Sequence, residues 1–426
     1  MTTRNLFERP ELFENQTRFI LSADAKPKRL TRSSSALGRS YSRERFDSNA
    51  SGSDTQDVDD DFENRISEDN IDEIYTERKP TDRNEEINYD TDIEADVEPP
   101  RDHSCRAIYI EQCRRHGIVP STHFLRSIDN DNVTIRYCGL KPINIKVMVA
   151  PLKINSTITK LDLRDNCLGS RGTIYITNLI KENSYIDELN LGNNDIGIHG
   201  CKILCKVLCT NRSIRILHLD GNRFNDECAQ FFAEVFSQNE CINYLNLNKN
   251  FFENDATGRL FGQSLIENQS LQELHLAWNR LSSKACGLLL KQLGANARLT
   301  TIDLSWNAAA LFTAKALNDL LKKNAIIERI YLEHNKFDTE CATYIGKGLA
   351  KNETLKILSL NGNPLESSGC YAVLKPLLKH PTCGLQSISL IGIIVNRDFL
   401  DLVTELSGVL PQLDIKIGRE REQEFE

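Results

Sequence analysis

Leucine or isoleucine alternates with polar residues in eight short phrases along the chain: LDLRDN (161–166), LNLGNN (189–194), LHLDGN (217–222), LNLNKN (245–250), LHLAWN (274–279), IDLSWN (302–307), IYLEHN (330–335) and LSLNGN (358–363). Alternation of period two predicts a strand with two side chains aimed at one face. The phrases end on Asn166, Asn194, Asn222, Asn250, Asn279, Asn307, Asn335 and Asn363, spaced by 28 residues with one step of 29. A second series runs in phase, from Asn155 and Asn183 through Asn211, Asn239, Asn268, Asn296 and Asn324 to Asn352, each followed three residues on by Ile or Leu. Two locked series over eight units predict a solenoid.

About ten and fourteen residues after each phrase come apolar residues at helical spacing, such as Ile176 and Ile180, or Phe232 and Phe236. Six after each asparagine stands a small residue (Gly172, Gly200, Cys228, Ala256, Ala285, Thr313, Cys341 or Gly369), which lets a helix lie close to its strand. The expected fold is therefore α/β: a horseshoe solenoid with a parallel inner sheet and outer helices, its phrase-ending asparagines turned inward to bond backbone groups of neighbouring turns.

The ends need covers. VTIRYC (133–138) precedes the first phrase by one period, with Cys138 in the asparagine place. Before it, Cys105, Tyr109 and Cys113 share one face of a predicted helix that Gly117 and Pro120 end. At the other end, ISLIGI (388–393), a helix near 397–409 and a strand LDIKI (413–417) close the stack. The expected organisation is a disordered region over 1–100, a helical cap over 101–130, repeats with a C-terminal cap over 131–417, and a charged tail over 418–426.

Charge changes this picture only at the front. Asp54 to Glu98 holds nineteen Asp/Glu against four Lys/Arg, and Lys26 to Arg45 holds seven basic residues and one acid. Such a basic-then-acidic segment with few apolar clusters does not repay its folding entropy. Its basic part, with Ser and Thr near arginines, suits a kinase. The repeats show no matching basic stripe, so nucleic acid is not an expected partner. No apolar run approaches a membrane span and no signal core opens the chain, so a cytoplasmic monomer is expected. The thirteen cysteines are scattered without CxxC pairs and read as reduced packing residues.

The repeat, as in IDELNLGNNDIGIHGCKILCKVLCTNRS, resembles the ribonuclease-inhibitor subtype of leucine-rich repeats. The segments YIEQCRRHGIVPSTHFLRSI and VNRDFLDLVTELSGVLPQLDIKIG resemble more narrowly the leucine-rich repeat-containing protein 74 group. That resemblance implies protein binding on the concave face rather than catalysis, with a link to cilium or cytoskeleton.

Candidate contact residues lie where the strands end. The residues before the asparagines include Lys249, Trp278, Trp306 and His334, with neighbouring strands about 4.8 Å apart. Four before the asparagines stand His275, Asp303 and Tyr331. Together they predict an aromatic patch of the kind that anchors protein interfaces. Asp162, Arg164, Asp220 and Glu333 would add charged contacts. Cys201, Cys205 and Cys209 share a helix face, yet Ala229 and Ala233 take the equivalent places of the first two, so no metal is expected. The Asn-x-Ser/Thr triplets at 155, 211, 268 and 352 fall on the repeat's own asparagines. No nucleotide, hydrolase or metalloprotease motif occurs, and no cofactor is expected. The expected activity is a protein-binding scaffold; regulation of a small GTPase and capping of actin-filament ends, as in tropomodulin, are the alternatives.

Overall fold

The computed structural model describes residues 104–418. The expected disorder of residues 1–100, the start of the cap and most of the charged tail lie outside them. Eleven strands form one parallel sheet in chain order: β1 (Asn132–Thr134), β2 (Lys160–Asp162), β3 (Glu188–Asn190), β4 (Ile216–His218), β5 (Tyr244–Asn246), β6 (Glu273–His275), β7 (Thr301–Asp303), β8 (Arg329–Tyr331), β9 (Ile357–Ser359), β10 (Ser387–Leu390) and β11 (Asp414–Ile417). The register is the repeat itself, since Leu161 faces Leu189, Leu217 and onward to Leu358 and Ile388. Helices return the chain between strands from Pro142–Ile154 to Arg397–Val409. Packed helices need about 9 Å each and strands about 4.8 Å, so the stack curves toward the sheet. The sheet's open face is thus the concave one.

Both aliphatic residues of each phrase are buried, as Leu217 and Leu219 are, and meet the helical residues of their unit. The N-terminal helix is Cys105–Arg115, capped by Ser104, with Tyr109 and Cys113 buried and Gly117 at φ +63°. Tyr109 packs edge-on against Phe124 of a second short helix, Thr122–Ser127, that the sequence pattern did not suggest. The C-terminal helix Arg397–Val409 and β11 stand where the pattern placed them.

The phrase-ending asparagines form a ladder. Asn222 is fully buried; its Nδ2 donates to the carbonyls of Leu191 (2.9 Å) and Asp220 (3.3 Å). Its Oδ1 accepts from the N–H groups of Asn194 (3.0 Å) and Ile196 (3.4 Å) in the preceding unit. The second series does the same at the helix ends. Asn183 Nδ2 donates to the carbonyls of Leu152 and Asn155, and its Oδ1 accepts from Tyr185 and Ile186. His380 continues that series, its Nε2 lying 3.3 Å from the Asn352 carbonyl. The four glycosylation-like asparagines belong to this second ladder and are buried.

One small-residue assignment is corrected. In the 29-residue unit Ala256 is exposed, and the buried small position is Thr257, followed by Gly258, where a Cβ would lie 2.0 Å from the Ala285 carbonyl oxygen. The extra residue lies ahead of the helix and shifts it by one.

Replacing Asn222 by leucine keeps the branched shape but strands two buried N–H groups and a carbonyl. A loss of roughly 3–5 kcal/mol is expected, seen as a lower urea midpoint and faster amide exchange in the units on either side.

Candidate functional site

In each of ten successive turns the residue two or three places beyond the strand adopts positive φ: Tyr137, Asp165, Asn193, Gly221, Lys249, Trp278, Trp306, His334, Gly362 and Gly392, between +50° and +81°. The left-handed conformation bends the chain from the sheet into the interior, so that the following asparagine enters the ladder. It also throws the preceding side chain outward and over the next unit. At Gly221 a Cβ would sit 1.8 Å from Asn193 Oδ1, and at Gly362 it would sit 2.4 Å from the His334 ring. The column is therefore a row of overlapping side chains.

Three successive members are aromatic. Trp278 stacks on Trp306 with centroids 3.9 Å apart and planes 11° from parallel, and Trp306 stacks on His334 at 3.9 Å and 24°. Gly362 gives the last ring room to lie flat. The tryptophans remain 48% and 38% exposed, which leaves a broad apolar edge open to a partner.

Beside the stack, on the sheet's open face, lies a charged cluster. His275 sits between two carboxylates, with Nδ1 3.7 Å from Asp303 and Nε2 3.6 Å from Glu273. Both distances exceed a direct hydrogen bond, and Nε2 is buried without another partner, so charge rather than hydrogen bonding holds the ring. Burial opposes its protonation, but the Asp303 and Glu273 carboxylates overcome this and push its pKa up to about 9. Arg329 donates to Glu273 (2.9 Å) and to the Thr301 hydroxyl (2.8 Å). Tyr244 lies 5.0 Å from both His218 and His275, and burial lowers the pKa of His218. Two histidines one strand-pair apart thus differ in charge near neutrality.

Tyr331 is half-buried in register with Asp303, and Glu333 Oε1 accepts from Ser359 Oγ (2.6 Å) and Asn361 Nδ2 (3.1 Å). The structure thus gathers Trp278, Trp306, His334, His275, Asp303, Tyr331 and Glu333 across β6–β9. Asp162, Arg164 and Asp220 form a separate group on β2–β4. Arg164 crosses Gly192 to reach Asp220 (2.7 Å) two units on, and Arg136 pairs with Asp162. A Cβ at Gly192 would fall 2.5 Å from the Arg164 guanidinium, so the glycine makes this crossing possible. These charges engage one another, and Asp220 is nearly covered. Lys249 stands exposed between the groups.

Tyr244, Glu273 and Arg329 were not singled out in the sequence. They occupy the position two residues ahead of His218, His275 or Tyr331 or their equivalents, which period-two alternation places on the same open face. Cys201 and Cys205 are buried with sulfurs 3.8 Å apart, Cys209 is buried beside them, and burial raises the Cys201 thiol pKa. Their surroundings are the helix–sheet core. Among the described residues no helix is long and apolar enough to cross a membrane.

The His275 charge links stability to pH. Its unfolded pKa is about 6.5 and its folded value about 9. The contribution is therefore complete below about pH 6.5 and is lost as pH rises through about 9. Urea unfolding at about pH 6 and about pH 10 should show a fall in the wild type that His275→Gln reduces.

The sequence matches the leucine-rich repeat profile over residues 155–176, 210–233, 267–289 and 351–374. Among solved structures, the chain is similar to an internalin, inlF, of Listeria monocytogenes, at 14% identity over 75% of this chain and 90% of that one, with TM-score 0.43. It is similar to the leucine-rich repeat-containing protein LegL7 of Legionella pneumophila at 16% identity, over 66% and 92%, with TM-score 0.43. A leiomodin-1 structure, described as its actin-binding site 2, is similar at 16% identity over 35% and 86%, with TM-score 0.30. With its one-strand, one-helix unit, its asparagine ladders and the matched profile, the described part of this chain is a leucine-rich-repeat solenoid.

Proposed function

We propose that this chain is a non-catalytic scaffold that grips a protein partner on its concave face, with Trp278, Trp306 and His334 as the central anchor. His275, Asp303, Tyr331 and Glu333 border that anchor, and Lys249, Asp162, Arg164 and Asp220 extend it toward the first units. The 28-residue unit supports the ribonuclease-inhibitor subtype, and the cap and closing segments support kinship with the leucine-rich repeat-containing protein 74 group. A place in a cytoskeletal or ciliary assembly rests on that kinship.

One observation carries the reading: two successive tryptophans, the bulkiest side chain, occupy a left-handed backbone position that the fold fills in half of its turns with Gly, Asn or Asp. A bulky side chain there costs roughly 1–2 kcal/mol, while each ring–ring contact returns about 0.5–1.5 kcal/mol. Stability gains little from the exchange. The exposed apolar edge is what the tryptophans add, and aromatic anchors of this kind dominate interface energies.

The double substitution Trp278→Asn/Trp306→Asn separates folding from binding, because asparagine tolerates the left-handed turn. Thermal unfolding should move by no more than about 1 kcal/mol equivalent. Proximity labelling in cells should lose a defined set of neighbours. An unchanged set of neighbours would show that the stack is surface packing and refute the anchor.

A further inference from the structure

The outer helices carry a second surface that the concave site does not use. From Asn183 to His380, the residue just before each position of the second ladder is exposed in all eight units, and the column reads Glu182, Thr210, Gln238, Glu267, Ala295, Lys323, Lys351 and Lys379. Three lysines thus occupy successive helix ends in the last three units, where the earlier five hold none. One turn earlier, Lys347 and Lys375 are also exposed, making a second rank on the same edge. Along the chain these lysines are 28 residues apart and make no basic run; the stacking of units brings them together.

Helix capping does not explain the pattern. A cation at a helix C-terminus is favourable, but the earlier helices that carry one place it elsewhere in the last turn, at Lys153, Lys181, Lys206 and Lys291, and leave this column to Glu, Thr, Gln or Ala. Nor does the fold gain from crowding like charges one turn apart. None of the five lysines is ion-paired among the described residues, whereas Lys284 and Lys356 of the same half pair with Asp255 and Glu328. Two of them are held in place instead: Lys347 lies 5.3 Å from the centre of the Tyr344 ring, shared with Lys315, and Lys375 lies 4.9 Å from that of Tyr371. Ring contacts that restrain a lysine reduce the ordering cost of binding an anion.

We propose that this edge, Lys323, Lys351 and Lys379 backed by Lys347 and Lys375, docks an acidic, extended segment of a partner protein. The charges are lysines, point donors that suit separate carboxylates rather than the bidentate contacts arginine makes with phosphate. No open aromatic face lies among them for a base to stack on, since both tyrosines are covered by lysine. The exposed Phe312 stands at the opposite end of its helix, about 16 Å away, and Val409, at the end of the C-terminal helix, is a single small aliphatic side chain, so the edge offers a lipid surface little apolar area to take up. Helices about 9 Å apart put the outer two lysines about 18 Å apart, which an extended chain spans in roughly six residues.

The test uses the full chain and a labelled peptide of about ten residues, rich in Glu and Asp, followed by fluorescence anisotropy at two salt concentrations. The strip variant is Lys323→Gln/Lys351→Gln/Lys379→Gln. The control is Lys181→Gln/Lys202→Gln/Lys336→Gln, with the same change in net charge at other exposed positions. Circular dichroism establishes that both stay folded. The strip variant should weaken binding about tenfold and flatten its salt dependence, while the control stays within roughly twofold. The proposal is overturned if the wild type does not bind the peptide, or if both variants lose affinity equally. It is also overturned if a single-stranded oligonucleotide or a phosphatidylserine vesicle uses the same lysines more tightly than the peptide.

Discussion

A solenoid of three-residue strands has a supply problem: each turn leaves the sheet and crosses the interior with its N–H and C=O groups unpaired, and water does not reach them. The buried asparagine solves it. One amide offers a donor and an acceptor on a short stem, so Asn222 can satisfy groups in its own unit and in the preceding one at once. The second series, Asn155 to Asn352, performs the same task where the helices end. Because every amide bridges two units, the ladders also set the register of the stack. The aliphatic core supplies the driving force, but it would tolerate sliding that the ladders do not.

The concave site is a by-product of that constraint turned to use. For the asparagine to enter the interior, the residue before it must adopt the left-handed conformation, and its side chain is then cast outward over the next unit. Glycine, asparagine and aspartate accept this at small cost. Trp278 and Trp306 accept it because each lies on the next ring, and His334 can lie flat because Gly362 has no side chain to obstruct it. A similar dependence on an absent Cβ lets Arg164 cross Gly192 to Asp220. Glycines thus decide which long side chains reach across units. The charges on β6–β9 arrange themselves around His275, which is charged near neutrality because two carboxylates outweigh its burial.

Much of this was legible in the chain. The strands, the ladders, both closing elements and the adjacency of Trp278, Trp306 and His334 follow from a period of 28, because a stacked repeat converts equal spacing in sequence into neighbourhood in space. Two details escaped for local reasons. The short helix at Thr122–Ser127 has too few residues to show a period, and the inserted residue ahead of Thr257 could fall anywhere between two asparagines without changing the spacing.

What the sequence determined alone is the architecture and the column to which each side chain belongs, since those depend only on position within the unit. What only the tertiary structure decided is how members of a column, or of neighbouring columns, engage. That Arg164 turns to Asp220 two units away, that Tyr244 lies between His218 and His275, and that Lys347 and Lys375 lie against Tyr344 and Tyr371 all depend on distances of a few ångströms. These are set by rotamer, local space and the pitch of the stack, none of which a periodic pattern encodes.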